Sequence, residues 1–268
     1  MKFILCAVVL FSCLQAATVW EWGEYARRYV PNDAWGPGER LVFNVQYGIM
    51  KAGTASLSVT GPEDVNGLLA YRITAEARSN PVFDSFFAVR DVNRSHLDIV
   101  QLHTLRYFKD LREGNYSRSE ETLFYQEEGV ARYPGETDPE KMEDPIPPHA
   151  LDVLGAFYYA RTLSFELGDR FSMDVHVDND NYPLWVNVLE RNSIRTPAGT
   201  FQCLLLKPEL RGDGIFKQEG EIFIWVTDDS RHMPVLMTAS MVIGEISCLL
   251  DSYTPGTVLE VENPFLQE

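Results

Sequence analysis

The stretch GERLVFNVQYGIMKAGTASLSVT, residues 38–60, decides the fold. Leu41, Phe43, Val45 and Tyr47 recur at every second position, with Arg40, Asn44 and Gln46 between them and Val42 the one exception. A period of two is the signature of a strand with one buried face. Gly48 and Gly53 then bracket a reversal, and Ala55, Leu57 and Val59 alternate with Thr54, Ser56, Ser58 and Thr60 on the partner strand. The unit is an antiparallel hairpin, and its pattern recurs along the chain.

Working outward, Tyr71, Ile73, Ala75 and Ala77 alternate with Arg72, Thr74, Glu76 and Arg78 after a turn-rich Gly61–Gly67. Further strands are expected at Phe87–Asn93, Thr104–Asp110, Ser117–Tyr125 and Ala131–Tyr133. Residues Pro134–Pro148 are proline-rich and acidic without apolar periodicity and read as a long exposed loop. The period then changes: Leu151, Leu154, Phe157, Tyr158 and Leu163 fall near one helical face, which predicts one principal helix over 150–163 behind a proline-rich entry. The second half returns to strands at 171–178, 184–190, 201–207, 221–227, 235–242 and 245–251. Within Glu221–Thr227 both phases are apolar, Ile222, Ile224 and Val226 on one and Phe223 and Trp225 on the other, which places that strand inside the sheet. The expected class is mainly β, one large curved antiparallel sheet of roughly ten strands, either a half-barrel or a folded-over sandwich. A sheet of that width must curl.

Before this body, Met1 and Lys2 lead into an apolar run from Phe3 to Phe11, the pattern of a secretory signal over residues 1–17. Leu10, Phe11, Ser12 and Cys13 offer a lipobox as the alternative, with Cys13 acylated. Residues 18–256 then form a single antiparallel domain, opened by an irregular aromatic lead-in through Trp35, and 257–268 a tail. Outside the leader no run approaches the ~20 apolar residues of a spanning helix. The expected location is the exported side of a membrane, in the periplasm or outer envelope. Formal charge is −16, and −17 once Lys2 leaves with the signal. That excess repels phosphate backbones, so nucleic acid is excluded as a partner, and it disfavours anionic headgroups.

The order of short motifs resembles an exported bacterial family known as domain of unknown function 3108. The likeness is carried by Gly38 and Glu39; Tyr47, Gly48, Ala52 and Gly53; Asp91, Ser95 and Asp98; Glu113 and Gly114; Asp152, Tyr158 and Arg161; Thr196, Pro197, Gly199, Thr200 and Phe201; and Trp225, Asp228, Asp229, Arg231, Pro234 and Gly244. It implies an envelope or secreted location and an antiparallel β architecture, and brings no reaction or catalytic residue with it. The layout is also similar to that of periplasmic lipid and lipoprotein carriers, an analogy of architecture alone.

Chemistry is sparse. Asp174, His176, Asp178 and Asp180 share one strand face but lack further ligands, so the reading there is a solvated face and no metal. Asp228, Asp229 and Arg231 form a polar cluster whose adjacent carboxylates point to opposite faces of an extended chain, a strand-ending turn rather than an acid–base pair. The five histidines show no zinc spacing and no serine sits in a nucleophile elbow, so no catalytic residue is assigned and no cofactor is expected. Arg211, Gly212 and Asp213 read as turn chemistry. Cys203 and Cys248 are the candidate disulfide, with buried free thiols as the alternative. The surplus of apolar strand faces points to a noncatalytic envelope protein holding a hydrophobic small molecule or a partner's apolar segment, with Tyr158, Phe223 and Trp225 as candidate contacts. The alternatives are an assembly module binding protein or glycan through strand edges or the 134–148 loop and, third, an enzyme acting on envelope polymers.

Overall fold

The structure, a computed structural model, describes residues 22–210, 221–240 and 244–266. The leader with Cys13, and the Arg211–Asp213 tripeptide, lie outside the described residues.

All strands join one antiparallel sheet. Its first half holds β1 (Arg40–Tyr47), β2 (Met50–Val65), β3 (Leu68–Ser79), β4 (Arg90–Asp98), β5 (Thr104–Glu113), β6 (Tyr116–Tyr125), β7 (Val130–Arg132) and β8 (Glu143–Pro145). The second half holds β9 (Arg170–Val177), β10 (Asp180–Thr196), β11 (Gly199–Leu210), β12 (Ile222–Thr227), β13 (Pro234–Ser240) and β14 (Glu245–Thr254). The spatial order is β8-β7-β6-β5-β4-β3-β2-β1-β14-β13-β12-β11-β10-β9. Each strand therefore pairs with its chain neighbour, and β1 pairs with β14 in the middle, from Arg40 opposite Thr254 to Tyr47 opposite Ile246. The hairpin read from residues 38–60 forms as expected, Leu41 facing Leu57 and Phe43 facing Ala55.

Fourteen strands replace the ten expected. The excess includes the three-residue edge strand β8, which sits inside the stretch expected to be an exposed loop, where charge and proline mask it, as is usual at sheet edges. That stretch is also less exposed than its composition implies, since Ile146 is buried with Phe124, Ala131 and Ala150 in a small satellite core. The strand expected from Phe87 begins at Arg90 instead, because Asn80 caps a single helical turn, α1 (Pro81–Asp84), ahead of it. Helix α2 (Val153–Ala160) is shorter than the 150–163 expected. Asp152 caps its first turn, and Leu151 before it is extended and bridges Val175 of β9 in parallel.

The two sheet edges, β8 and β9, are brought together by the segment carrying α2. Asn181 donates to the Pro145 carbonyl at 2.8 Å, and Lys109 of β5 reaches Asp178 after β9 at 2.8 Å. The sheet is thus strongly curved yet not closed into a barrel. α2 lies in its hollow, and one buried cluster takes in Phe43, Ile73, Val175, Val188, Val226 and Leu250 from across its width. The lead-in docks at this closed end through Trp35, whose indole donates to the Tyr158 carbonyl at 2.9 Å and meets the Tyr71 and Tyr158 rings edge-on. The C-terminal tail runs beside it, Thr257 donating to the Pro37 carbonyl and Tyr29 to that of Val261.

Candidate functional site

Beneath α2 the concave face leaves a groove of about 760 Å³. Val153, Leu154, Ala156, Phe157 and Ala160 of the helix form one wall. Leu57, Ala75 and Tyr107 from the first half of the sheet and Met173, Val175, Val186, Leu206, Ile224 and Met237 from the second form the rest. These sheet residues are the inward phase of the two-residue period, so the alternation that builds the strands also builds an apolar lining. Lys207, Glu209 and Glu221 supply charge at the rim where β11 ends and β12 begins. The volume falls within the range typical of small-molecule sites, about 300–1,000 Å³.

The expected contact residues are elsewhere. Phe223 and Trp225 are out of phase with Ile222 and Ile224, which line the groove in their place. Trp225 stands opposite Leu205 and Leu236 in the ladder, and the Lys207 ammonium lies 5.6 Å from the Phe223 ring centre. Tyr158 is fully buried, between Trp35 and the Arg161 guanidinium, on the core side of α2. Burial pushes its phenol up, and the Glu39 charge adds to this. It braces the helix; its neighbours Phe157 and Ala156 face the groove.

Two buried polar arrangements hold α2 in place. At its start, one Asp152 oxygen accepts from the Leu154 and Gly155 amides at 2.8 and 2.9 Å, while the other accepts from Thr104 at 2.8 Å and from Ser95. Burial raises this carboxyl, and the hydrogen bonds oppose the shift. Gly155 is required there, because an added Cβ would lie 2.9 Å from the Thr104 hydroxyl and 3.0 Å from Asp152 and Leu97. At the helix end, Arg161 donates to both Glu39 oxygens at 2.8 Å, with the side chains 2% and 5% exposed. Burial works to lower the guanidinium, and Glu39 more than offsets it. The ion pair ties α2 to the residue that opens β1.

The polar cluster divides between partners. Asp229 binds Arg231 at 2.8 Å and takes the Thr227 hydroxyl at 2.7 Å, whereas Asp228 turns to Arg191 at 2.7 Å. His176 is buried against the Tyr133 hydroxyl and Asn181, and Asp178 pairs with Lys109. No three metal-ligating side chains converge among the described residues. Cys203 and Cys248 are free thiols, a correction to the candidate disulfide. They stand on β11 and β14 with two strands between them, about 14 Å at the usual strand spacing, beyond the reach of a bridge.

Residues 42–251 match the family described as protein of unknown function (DUF3108). The chain belongs to the DUF3108 family. A UPF0127 protein of Thermococcus sibiricus is 26% identical over 150 residues, 56% of this chain and 79% of that protein. Among solved structures, the β-barrel-like protein of domain of unknown function DUF1849 from Brucella abortus superposes with a TM-score of 0.55 at 10% identity, covering 87% of this chain and 100% of that one. It shares the fold. A candidate lipoprotein of Parabacteroides distasonis aligns with a TM-score of 0.35 at 13% identity, over 85% of this chain and 100% of that one. Ser95, Asp152, Tyr158 and Arg161 lie within the matched span and Glu39 just before it; all five are among the residues of the resemblance, and in the structure they seat α2. Their meeting was hidden in the sequence: 122 positions separate Glu39 from Arg161. Only their shared place among the family motifs marks them.

Proposed function

We propose that this protein is a noncatalytic, exported carrier that shelters an acyl-sized hydrophobic molecule in the groove beneath α2. The observation that supports the reading is the groove itself, about 760 Å³ with an apolar lining drawn from both halves of the sheet. A core of ordinary density leaves few voids larger than a water molecule. The leader pattern over residues 1–17 supports export, and the acidic surface suits a soluble carrier. No helix among the described residues is long and apolar enough to cross a membrane.

Native mass spectrometry after gentle purification, together with titration of a fluorescent fatty acid, tests the idea. Retained lipid or saturable binding is expected. Ala75→Phe, on a half-buried β3 residue lining the groove, is expected to weaken binding by about tenfold or more while leaving thermal stability nearly unchanged, since it adds volume to open space. A protein that retains no lipid and binds no probe is not a carrier.

A further inference from the structure

The antiparallel meander puts its turns at two ends of the sheet, and across β1–β6 these ends are chemically opposite, although the β7–β8 loop at the first of them is acidic, with Glu136, Asp138 and Glu140 against Lys141. At one end lie the β1–β2 turn, the α1 loop between β3 and β4, and the β5–β6 turn. They form one continuous surface. The Asn80 amide donates to the Ala52 carbonyl at 2.8 Å and the Asn80 side chain to that of Lys51, which joins the first two. Gly114 donates to the Ala88 carbonyl at 2.8 Å and its Cα faces the Phe87 ring, which joins the third. Large apolar side chains stand out from this surface into water: Ile49 is 100% exposed, Phe86 85% and Val82 69%. Exposed aliphatic and aromatic residues gathered on linked loop tips mark a surface that meets a partner.

Charge indicates which partner. The three tip segments, 46–54, 77–90 and 111–118, hold Lys51, Arg78, Arg90, Arg112 and Arg118 against only Asp84 and Glu113, in a chain of net charge −16. Three of these cations are already paired, Arg90 with Asp84 at 2.6 Å, Arg112 with Asp110 at 3.1 Å and Arg118 with Glu120 and Asp178, and burial raises the Glu113 carboxyl. Lys51 and Arg78 are exposed and make no ion pair among the described residues. The opposite tips of the same strands, 62–69, 98–103 and 125–130, contain Glu63, Asp64, Asp98, Glu127 and Glu128 and no lysine or arginine. Screening confines each field to about 8 Å at physiological salt, so these local cations act independently of the acidic surface behind them.

We propose that this apolar, basic end docks on an anionic lipid bilayer, with Ile49, Val82 and Phe86 entering the interface and Lys51 and Arg78 meeting headgroup phosphates. The groove rim at Lys207, Glu209 and Glu221 belongs to the same end of the sheet, so the docked molecule presents its opening toward the membrane. That purpose, transfer of a hydrophobic ligand to or from a bilayer, rests on the carrier reading; the docking does not. Burial of apolar tips and attraction of basic residues to an anionic surface are the usual terms of such binding.

The test is hydrogen exchange on the full chain with vesicles of phosphatidylethanolamine and phosphatidylglycerol, against vesicles of phosphatidylcholine alone. Amides of residues 47–53 and 80–89 are expected to gain protection with the anionic vesicles only, whatever other segment contacts lipid. Ile49→Ser with Phe86→Ser removes that protection and lowers the tip-dependent partitioning by about tenfold or more, and Lys51→Glu with Arg78→Glu does the same. Unchanged exchange at the tips overturns the proposal. So does protection that rises with protein concentration in the absence of vesicles, which assigns the surface to a second copy of this chain. Fatty-acid binding without vesicles reads the groove separately: tip variants that load normally yet lose vesicle protection support docking, and a protein that docks but never loads overturns only the carrier.

Discussion

The two ends of the curved sheet are built by opposite uses of the same side-chain types. Toward the closed end, Arg161 and Glu39 are buried together, Asp152 is roofed by the helix it caps, and Trp35 and Tyr158 fill the space between. At the open end, Lys51 and Arg78 stand in water, on the surface that exposes Ile49 and Phe86, and make no ion pair among the described residues. Charge in the first setting is structural, because removing one partner strands the other in low dielectric. In the second it costs nothing to the fold and is available to a partner. The residues that carry the family likeness lie at both ends: Glu39, Asp152 and Arg161 toward the closed one, Tyr47, Gly48, Gly53 and Gly114 at the open one. Those at the closed end seat α2 over the groove.

The largest effect should come from breaking the buried pair. Glu39→Gln leaves the Arg161 guanidinium without its counter-charge, and the expected loss is about 3–5 kcal/mol by urea denaturation. Replacing both residues by methionine should recover most of it. Phe86→Ser at the open end, by contrast, should stay within about 0.5 kcal/mol. Equal losses at the two ends would erase the distinction drawn here.

How much of this was legible in the sequence follows from the same physics. The period of two is local, so strands and hairpins such as β1–β2 could be read directly, and with them the sheet. The three-residue β8 could not, because its pairing is imposed by β7 and by the covering of an edge, with no pattern of its own. Nor could the phase of β12: with Ile222, Phe223, Ile224 and Trp225 all apolar, only the curvature of the finished sheet decides which pair faces inward. The rule for Asp228 and Asp229 is local as well, and the two turn to different partners, Arg191 and Arg231.

A pH series sharpens the comparison next. His103 is 1% exposed, its Nδ1 lies 3.3 Å from that of His149, and burial followed by the His149 and Arg28 charges pulls it from 6.5 to about 3. Burial and then Arg28 pull His149 to about 4. Both rings are neutral in the folded protein, while the unfolded chain protonates them near 6.5. Their stabilisation is therefore complete above pH 6.5 and is lost as pH falls toward 4 and then 3. The slope attributable to His103 is about 1.4 kcal/mol per pH unit between 6 and 4. Asp98 and Asp152, whose carboxyls burial raises, act in the opposite sense, so the measured slope is a net one. Urea midpoints at pH 7, 5.5 and 4.5 for the protein and for His103→Gln isolate the share: the variant should show the shallower acid limb, and parallel limbs would remove His103 from the account.

The smallest expected effect lies in the β12–β13 turn, at the closed end, and asks whether position or burial governs the contrast. Asp229 and Arg231 form a 2.8 Å ion pair as short as that of Glu39 and Arg161, but their side chains are 42% and 39% exposed. The Arg231 and Thr227 hydrogen bonds hold the Asp229 carboxyl below its usual range, against the opposing pull of burial, and solvent screening discounts what that is worth. Asp229→Asn should cost no more than about 1 kcal/mol, falling further in 0.5 M salt, whereas the loss from Glu39→Gln should hardly respond to salt. If both variants were equally costly and equally sensitive to salt, location in the sheet would outweigh burial, and the closed end would owe its rigidity to its turns. If they separate as expected, burial is what makes the Glu39–Arg161 pair, beside the Asp152 cap, indispensable to the seating of α2, and the neighbouring turn is a cap on a strand that the sheet would form without it.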